Sequence, residues 1–254
     1  MELYYIVVFF IFGTIFGSFF TVVGTRIPNR ESIVFPPSHC TECGHTLRFF
    51  ELIPILSFLW QKGRCRVCKT KLSMKYLLYE LATGILFALC YFVFGFSWEL
   101  LIALTFLSIL IIIIISDIDY YIIPDEVLAV GAVLLLLEIG FIYGIKAAFL
   151  HLIGGILSFI LMFLVKKMGD FLFKKESMGG GDIKLLFVIG LVIGFRMSIV
   201  TIFFSSFIGL PISLFILYAR KTNVIPYGPF LSLAAMILYL LQIDFPALLS
   251  LLTV

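Results

Sequence analysis

Uncharged apolar runs long enough to span a lipid bilayer recur from one end of this chain to the other. Residues 3–23, 100–116, 147–165 and 197–219 carry no ionic side chain apart from His151. Runs at 76–98, 127–145 and 179–195 are comparable in length but hold an occasional ionisable residue, and 228–243 is uncharged but shorter. A helix needs about 20 such residues to cross a hydrocarbon core of roughly 30 Å. The pattern therefore predicts an all-α polytopic membrane protein of about eight transmembrane helices. Composition agrees, because 62% hydrophobic and 13% charged residues are far from a soluble domain's balance.

The first run is not expected to be a cleaved signal peptide. Its flank carries Glu2 where a basic region would stand, and it exceeds the usual length of such a segment. Gly13 and Gly17 have the GxxxG spacing of close helix packing.

Lys and Arg set the orientation. Segment 24–75 holds nine of the eighteen: Arg26, Arg30, Arg48, Lys62, Arg64, Arg66, Lys69, Lys71 and Lys75. If eight spans alternate, the same side also receives Lys166, Lys167, Lys174, Lys175, Lys184, Arg220 and Lys221, against Lys146 and Arg196 opposite. The basic side is cytoplasmic by the positive-inside rule, so both termini are expected to face outward. The net charge of +3 then expresses topology and attraction to anionic lipid in the bilayer, with no nucleic-acid partner required.

This organisation gives a first transmembrane helix at 1–23, a cytoplasmic segment at 24–75 and a larger membrane domain at 76–254. The cytoplasmic segment contains Cys40-x-x-Cys43 and Cys65-x-x-Cys68. Two such pairs suit a tetrahedral site with four thiolates, and a structural Zn2+ could fold a segment too small for a core of its own. The rivals are two disulfides or a redox dithiol. A reducing compartment argues against the first, and the second needs only one pair. His39 and His45 flank the first pair and are possible substitute ligands, while Cys90, alone in an apolar run, is expected to pack as a small apolar residue.

Acidic residues gather where basic ones would be expected. "SDIDYYIIPDE" at 116–126 contains Asp117, Asp119 and Asp125, with Pro124 breaking the chain before the fourth span. Gly179, Gly180 and Gly181 deliver Asp182 onto the edge of the sixth span, on the same side of the membrane. Asp182 either caps that helix or converges with an aspartate of the acidic loop. Two such carboxylates would share a proton, one acting as general base on water and the other as general acid. The glycines would let another group come close to this backbone, since glycine admits approaches that a side chain blocks. Asp119 either orients the site or is solvated. Asp125 is expected to cap the fourth span, and Pro211 to kink the seventh. Glu80 inside the second span is a functional candidate by its cost in lipid, or else reaches the boundary. Lys184 pairs with a nearby carboxylate or anchors the interface. Glu138 and His151 are expected to serve packing or hydrogen bonding.

Along nearly its whole length the chain resembles the type IV prepilin peptidases, particularly the late-competence form of Gram-positive bacteria. The resemblance rests on "GSFF" at 17–20 with Arg26 and Pro28, the paired CxxC motifs, and "ELIPILSFLWQKGRC" at 51–65. It continues through "LLYELATG" at 77–84, "SDIDYYIIPDE" and "GGGDIKLL" at 179–186, the GxGD signature of aspartic membrane proteases. It implies that Asp117 and Asp182 are the catalytic pair, with Gly179 and Gly181 forming the adjacent backbone. It also implies cleavage of the short basic leader of pilin-like precursors after a glycine, at the cytoplasmic boundary of the cell membrane. Methylation of the new N-terminus with S-adenosylmethionine is a further implication. Two other classes stand beside it, a proton-coupled transporter and a non-catalytic platform for pilus assembly. The first expects acidic residues near the bilayer midplane between repeats, and the second leaves the acidic pair unexplained.

Overall fold

A computed structural model describes residues 2–176, 178–220, 225–243 and 245; Lys221 and the C-terminal end, both used in the charge argument, lie outside them. The described residues form helices and no extended sheet, in two compact units, Met1–Leu100 and Leu101–Val254.

In the first unit, α1 (Glu2–Arg26) packs antiparallel against α3 (Met74–Phe94). Gly13 and Gly17 make the approach possible. A Cβ on Gly13 would lie 2.7 Å from the Thr83 carbonyl oxygen and 2.8 Å from Cα of Gly84. Phe9 stacks on Tyr91 with ring centroids 4.9 Å apart, and Phe96 meets Tyr91 edge-on. Between these helices the chain forms two cysteine knuckles, a 3₁₀ turn at Phe49–Glu51 and the short α2 (Leu56–Trp60).

The second unit contains α4 (Trp98–Tyr120), α5 (Asp125–Tyr143), α6 (Ile145–Phe173), α7 (Gly180–Arg220) and α8 (Gly228–Leu240). Fully buried Phe106, Leu107, Leu110 and Ile113 make α4 an interior helix. It runs beside α5, where Thr105 donates to Glu138 at 2.7 Å, and touches α8 through Phe106 and Tyr239. On α6, Gly154 and Gly155 leave room for the α7 backbone at Gly190 and Phe187. There the Ser158 hydroxyl donates to Ser198 at 2.9 Å, and His151 Nδ1 bonds the Leu191 carbonyl at 2.6 Å. Glu138 and His151 thus make the hydrogen bonds expected of them.

Six of the described helices are long and apolar enough to cross a membrane, and Gly228–Leu240 is a shorter apolar helix. The runs expected at 179–195 and 197–219 form one helical stretch of 41 residues, divided by Gly194 at φ 78°, ψ 166°. A straight helix of that length would measure about 60 Å. Yet both Gly181, at its start, and Gly228, just beyond its end, lie against the same Ile123 side chain. The chain therefore goes out and returns, and Gly194 is the reversal. Pro211 sits inside the returning helix, and the non-helical residue is Gly194.

Candidate active site

α4 ends because Tyr121 turns left-handed, at φ 58°, while its N–H still bonds the Asp117 carbonyl at 3.1 Å. Ser116 Oγ donates to the Ile122 carbonyl at 2.6 Å, drawing the chain back beneath the helix end. Pro124, at φ −69°, then sets the entry into α5. This tight return places Ile123 between two glycines. A Cβ on Gly181 would lie 2.7 Å from Ile123 Cβ, and one on Gly228 would lie 3.0 Å from its Cδ1.

Two carboxylates flank this knot. Asp117 is 6% exposed and accepts a hydrogen bond from the Gly228 backbone N–H. Asp182, 7% exposed, stands in the first turn of α7 and within electrostatic reach of Asp117. It is inside the helix rather than at its cap. Its Oδ1 is buried without a hydrogen-bond partner, an uncommon state that asks for a ligand, water or proton. The amide groups of a helix start favour negative charge at this position. The arrangement can hold a water or a carbonyl between two acids of different helices, and nothing in it is specific to ion passage.

The surrounding residues divide by burial. Asp119 is half-buried, unlike Asp117. Asp125 follows Pro124, which takes the cap position of α5, so Asp125 is a first-turn residue and not the cap. Lys184 pairs with Asp125 at 2.6 Å, joining α7 to α5. Both partners are largely exposed, so the pair contributes at most about 1 kcal/mol. The three glycines also differ. Gly181 is closed off by Ile123, Gly180 faces open space, and a Cβ on Gly179 would make ordinary contact with Asp182 Oδ2 at 3.6 Å. None of the three has a left-handed φ. Gly228 and Ile123 escaped the sequence reading. The Gly228-Pro229 pair was the available signal, since it marks a helix start after a turn.

In the first unit, the sulfurs of Cys40, Cys43, Cys65 and Cys68 lie within 4.8 Å of one another. Cys40 is 3.8 Å from Cys68, and Cys43 is 3.9 Å from Cys65. A tetrahedron with metal–sulfur bonds of about 2.3 Å has edges of about 3.8 Å, so the four thiols fit one metal ion. The two knuckles repeat each other. In each, the first cysteine is buried and bonded to the residue five positions on: Cys40 N–H to His45, Cys65 N–H to Thr70, both at 2.9 Å. In each, the residue after the second cysteine is left-handed, Gly44 at φ 68° and Lys69 at φ 62°. His45 points elsewhere, bonding Glu51 at 3.1 Å.

Glu80 is half-buried. It accepts the Ile55 N–H at 2.7 Å and a hydrogen bond from Ser18. Ile55 is a β-branched residue at φ 61°, a conformation that persists only where surroundings impose it. Glu80 thus ties the segment between α1 and α3 to both of these helices.

The chain resembles known proteins over most of its length. Residues 11–94 match the bacterial peptidase A24 N-terminal domain, and residues 104–214 match the type IV leader peptidase family. A prepilin leader peptidase/N-methyltransferase of Bacillus subtilis (strain 168) is 38% identical across 92% of this chain and 93% of its own. Proteins of the same name from Myxococcus xanthus (strain DK1622) and Neisseria gonorrhoeae are 35% and 30% identical. These alignments cover 83% and 90% of this chain, and 62% and 88% of the relatives' own. No solved structure matches significantly.

Proposed function

The chain belongs to the type IV leader peptidase family, and from that premise we propose that Asp117 and Asp182 are the aspartic dyad of a membrane-embedded endopeptidase. The observation that carries this reading is the pair itself: two buried carboxylates from the end of α4 and the start of α7, one oxygen unpartnered. One carboxylate takes a proton from the attacking water, and the other gives a proton to the carbonyl oxygen of the scissile bond. Their roles then reverse as the tetrahedral intermediate collapses and the amine leaves. The Gly228 N–H orients Asp117, and Ile123 sets the spacing between the helix ends.

The substrates are pilin-like precursors, as the relatives' name of prepilin leader peptidase supports, cut after a glycine to remove their short leader. The chain is a multi-pass membrane protein, and the dyad faces the cytoplasm with both termini outward. The basic segment 24–75 and the acidic loop on one side support that orientation. The four-cysteine cluster holds a structural Zn2+, which folds the knuckles and takes no part in peptide hydrolysis. N-methylation of the new terminus is the second activity, in which S-adenosylmethionine, when bound, supplies the methyl group.

Purified protein in detergent, incubated with a pilin-like precursor, tests the dyad. Asp117→Asn and Asp182→Asn should each abolish cleavage, with insertion and metal content unchanged, while Asp119→Asn retains a measurable rate. Full cleavage by either dyad variant would refute the assignment, and the absence of any cleavage by the unaltered protein would favour an assembly platform.

A further inference from the structure

The first turn of α8 is built to send a single N–H out of the helix. A helix start leaves its first amides without the usual partners. Here Pro229 has no N–H, and the Phe230 and Leu231 N–H groups both return to the Tyr227 carbonyl at 3.1 Å. Within this turn only Gly228 keeps an outward donor, and it is the one that bonds Asp117. The direction of that N–H is set by the peptide plane between Tyr227 and Gly228. Whatever fixes Tyr227 therefore aims the donor.

Tyr227 reaches back to the returning half of α7. Its Oη lies 2.5 Å from Oγ of Ser205, a fully buried residue. Ser205 directs its own proton to the Ile202 carbonyl at 2.8 Å, so the phenol is the donor of the pair. Ser206 is exposed and stands farther from the phenol, at 3.5 Å. α8 has other holds on its neighbours. Phe230 lies against Gly209, where an added Cβ would come within 3.2 Å of its ring, and Tyr239 meets Phe106 edge-on. The hydroxyl is thus not what seats the helix; it fixes the orientation of the first peptide.

We propose that Tyr227 is a positioning residue for peptide hydrolysis: by donating to Ser205, it holds the Gly228 N–H on Asp117 and sets the aim of that carboxylate. The inference rests on the dyad reading above. It goes further by extending the support of the dyad to a phenol and a buried serine that act only through Gly228.

Steady-state cleavage of a pilin-like precursor by the purified full-length protein in detergent tests this, with an amide signal as an independent readout. Tyr227→Phe and Ser205→Ala should each lower kcat by about tenfold, less than the hundredfold or so that a displacement near 1 Å can cause. KM should stay within about twofold, since the lost contact is not with substrate. The double variant should be no worse than either single one, because both cut the same link. Ser206→Ala should leave the rate unchanged. Isotopic labelling of tyrosine carbonyls together with glycine nitrogens marks only the Tyr143-Gly144 and Tyr227-Gly228 pairs. The Gly228 amide resonance should move in Ser205→Ala and in Asp117→Asn, while that of Gly144 stays. Thermal midpoint and zinc content are measured alongside; if Tyr227→Phe lowers the midpoint markedly, Ser205→Ala and its Gly228 signal carry the test. Unchanged kcat in both single variants would overturn the proposal, as would a Gly228 signal that answers to Asp117→Asn but not to Ser205→Ala. Additive losses in the double variant would also overturn it, marking separate packing effects. So would a raised KM at constant kcat, which would put the phenol in substrate binding. Full cleavage by Asp117→Asn refutes the dyad instead, and the Gly228 signal then still reports whether Tyr227 holds that N–H.

Discussion

A methyl group on Gly228 would sit 2.5 Å from Asp117 Oδ2, closer than real Cβ contacts come. Either the carboxylate or α8 must move, and a displacement near 1 Å can cost about a hundredfold in rate. Gly228→Ala should therefore lose about two orders of magnitude in precursor cleavage, with zinc content and insertion unaffected. Gly181→Ala should be damaging for a different reason, because its Cβ would strike Ile123. Shrinking that neighbour in Gly181→Ala/Ile123→Ala should restore part of the activity, which a clash with substrate alone would not allow. Gly180→Ala should be silent. Gly179→Ala meets only an ordinary contact inside the protein, so any large loss there reports on substrate. Comparing cleavage rate and thermal midpoint across these variants separates the cases. The acidic loop and Asp182 stand out in the sequence because charge is rare at the ends of apolar helices, whereas the choice of Asp117 within that loop is what the family resemblance implies. Gly228 and Ile123 do not stand out, because their meaning depends on partners far along the chain.

The division of α7 at Gly194 belongs to the scale of elements. With φ 78° and ψ 166°, this residue holds a conformation that side chains rarely adopt, and open space surrounds its missing Cβ. Gly194→Ala should thus act through the backbone alone, with strain on the order of 1–2 kcal/mol. The expected readout is a lower thermal midpoint in detergent, and an unchanged midpoint would mean that the reversal does not depend on glycine. The two apolar runs on either side were legible from hydropathy, as was a gap between them at Arg196. That a glycine of positive φ makes the break, two residues before that gap, was not legible, since nothing in the sequence marks which glycine takes such a conformation. The knuckles were legible for the opposite reason: CxxC pairs encode their geometry within four residues. Replacing Cys40 and Cys43 with serine should remove about one metal ion per chain by elemental analysis and reduce cleavage without altering Asp117 or Asp182.

For the molecule as a whole, charge carries most of the legible information. The basic residues of 24–75 and the lone Lys146 and Arg196 between later spans predict an inside and an outside without any structure. A cysteine placed at Tyr143, in a background lacking the native ones, should react with an impermeant thiol reagent in intact cells. One placed at Lys175 should not, and the reverse pattern would invert the topology. Hydropathy could not reveal that α1 pairs with α3, because that pairing is decided by small residues, Gly13, Gly17 and Gly84, and apolar faces look alike in lipid. It also could not reveal that α8 supplies a backbone donor to the end of α4. That last contact has a consequence for biosynthesis. Asp117, Asp182 and Gly228 enter the membrane in that order, and the knot around Ile123 closes only when α8 is seated. With Asp117 and Asp182 as the proposed dyad, a chain still being threaded into the bilayer should be an unarmed protease, and a product truncated before Gly228 should insert yet cut nothing.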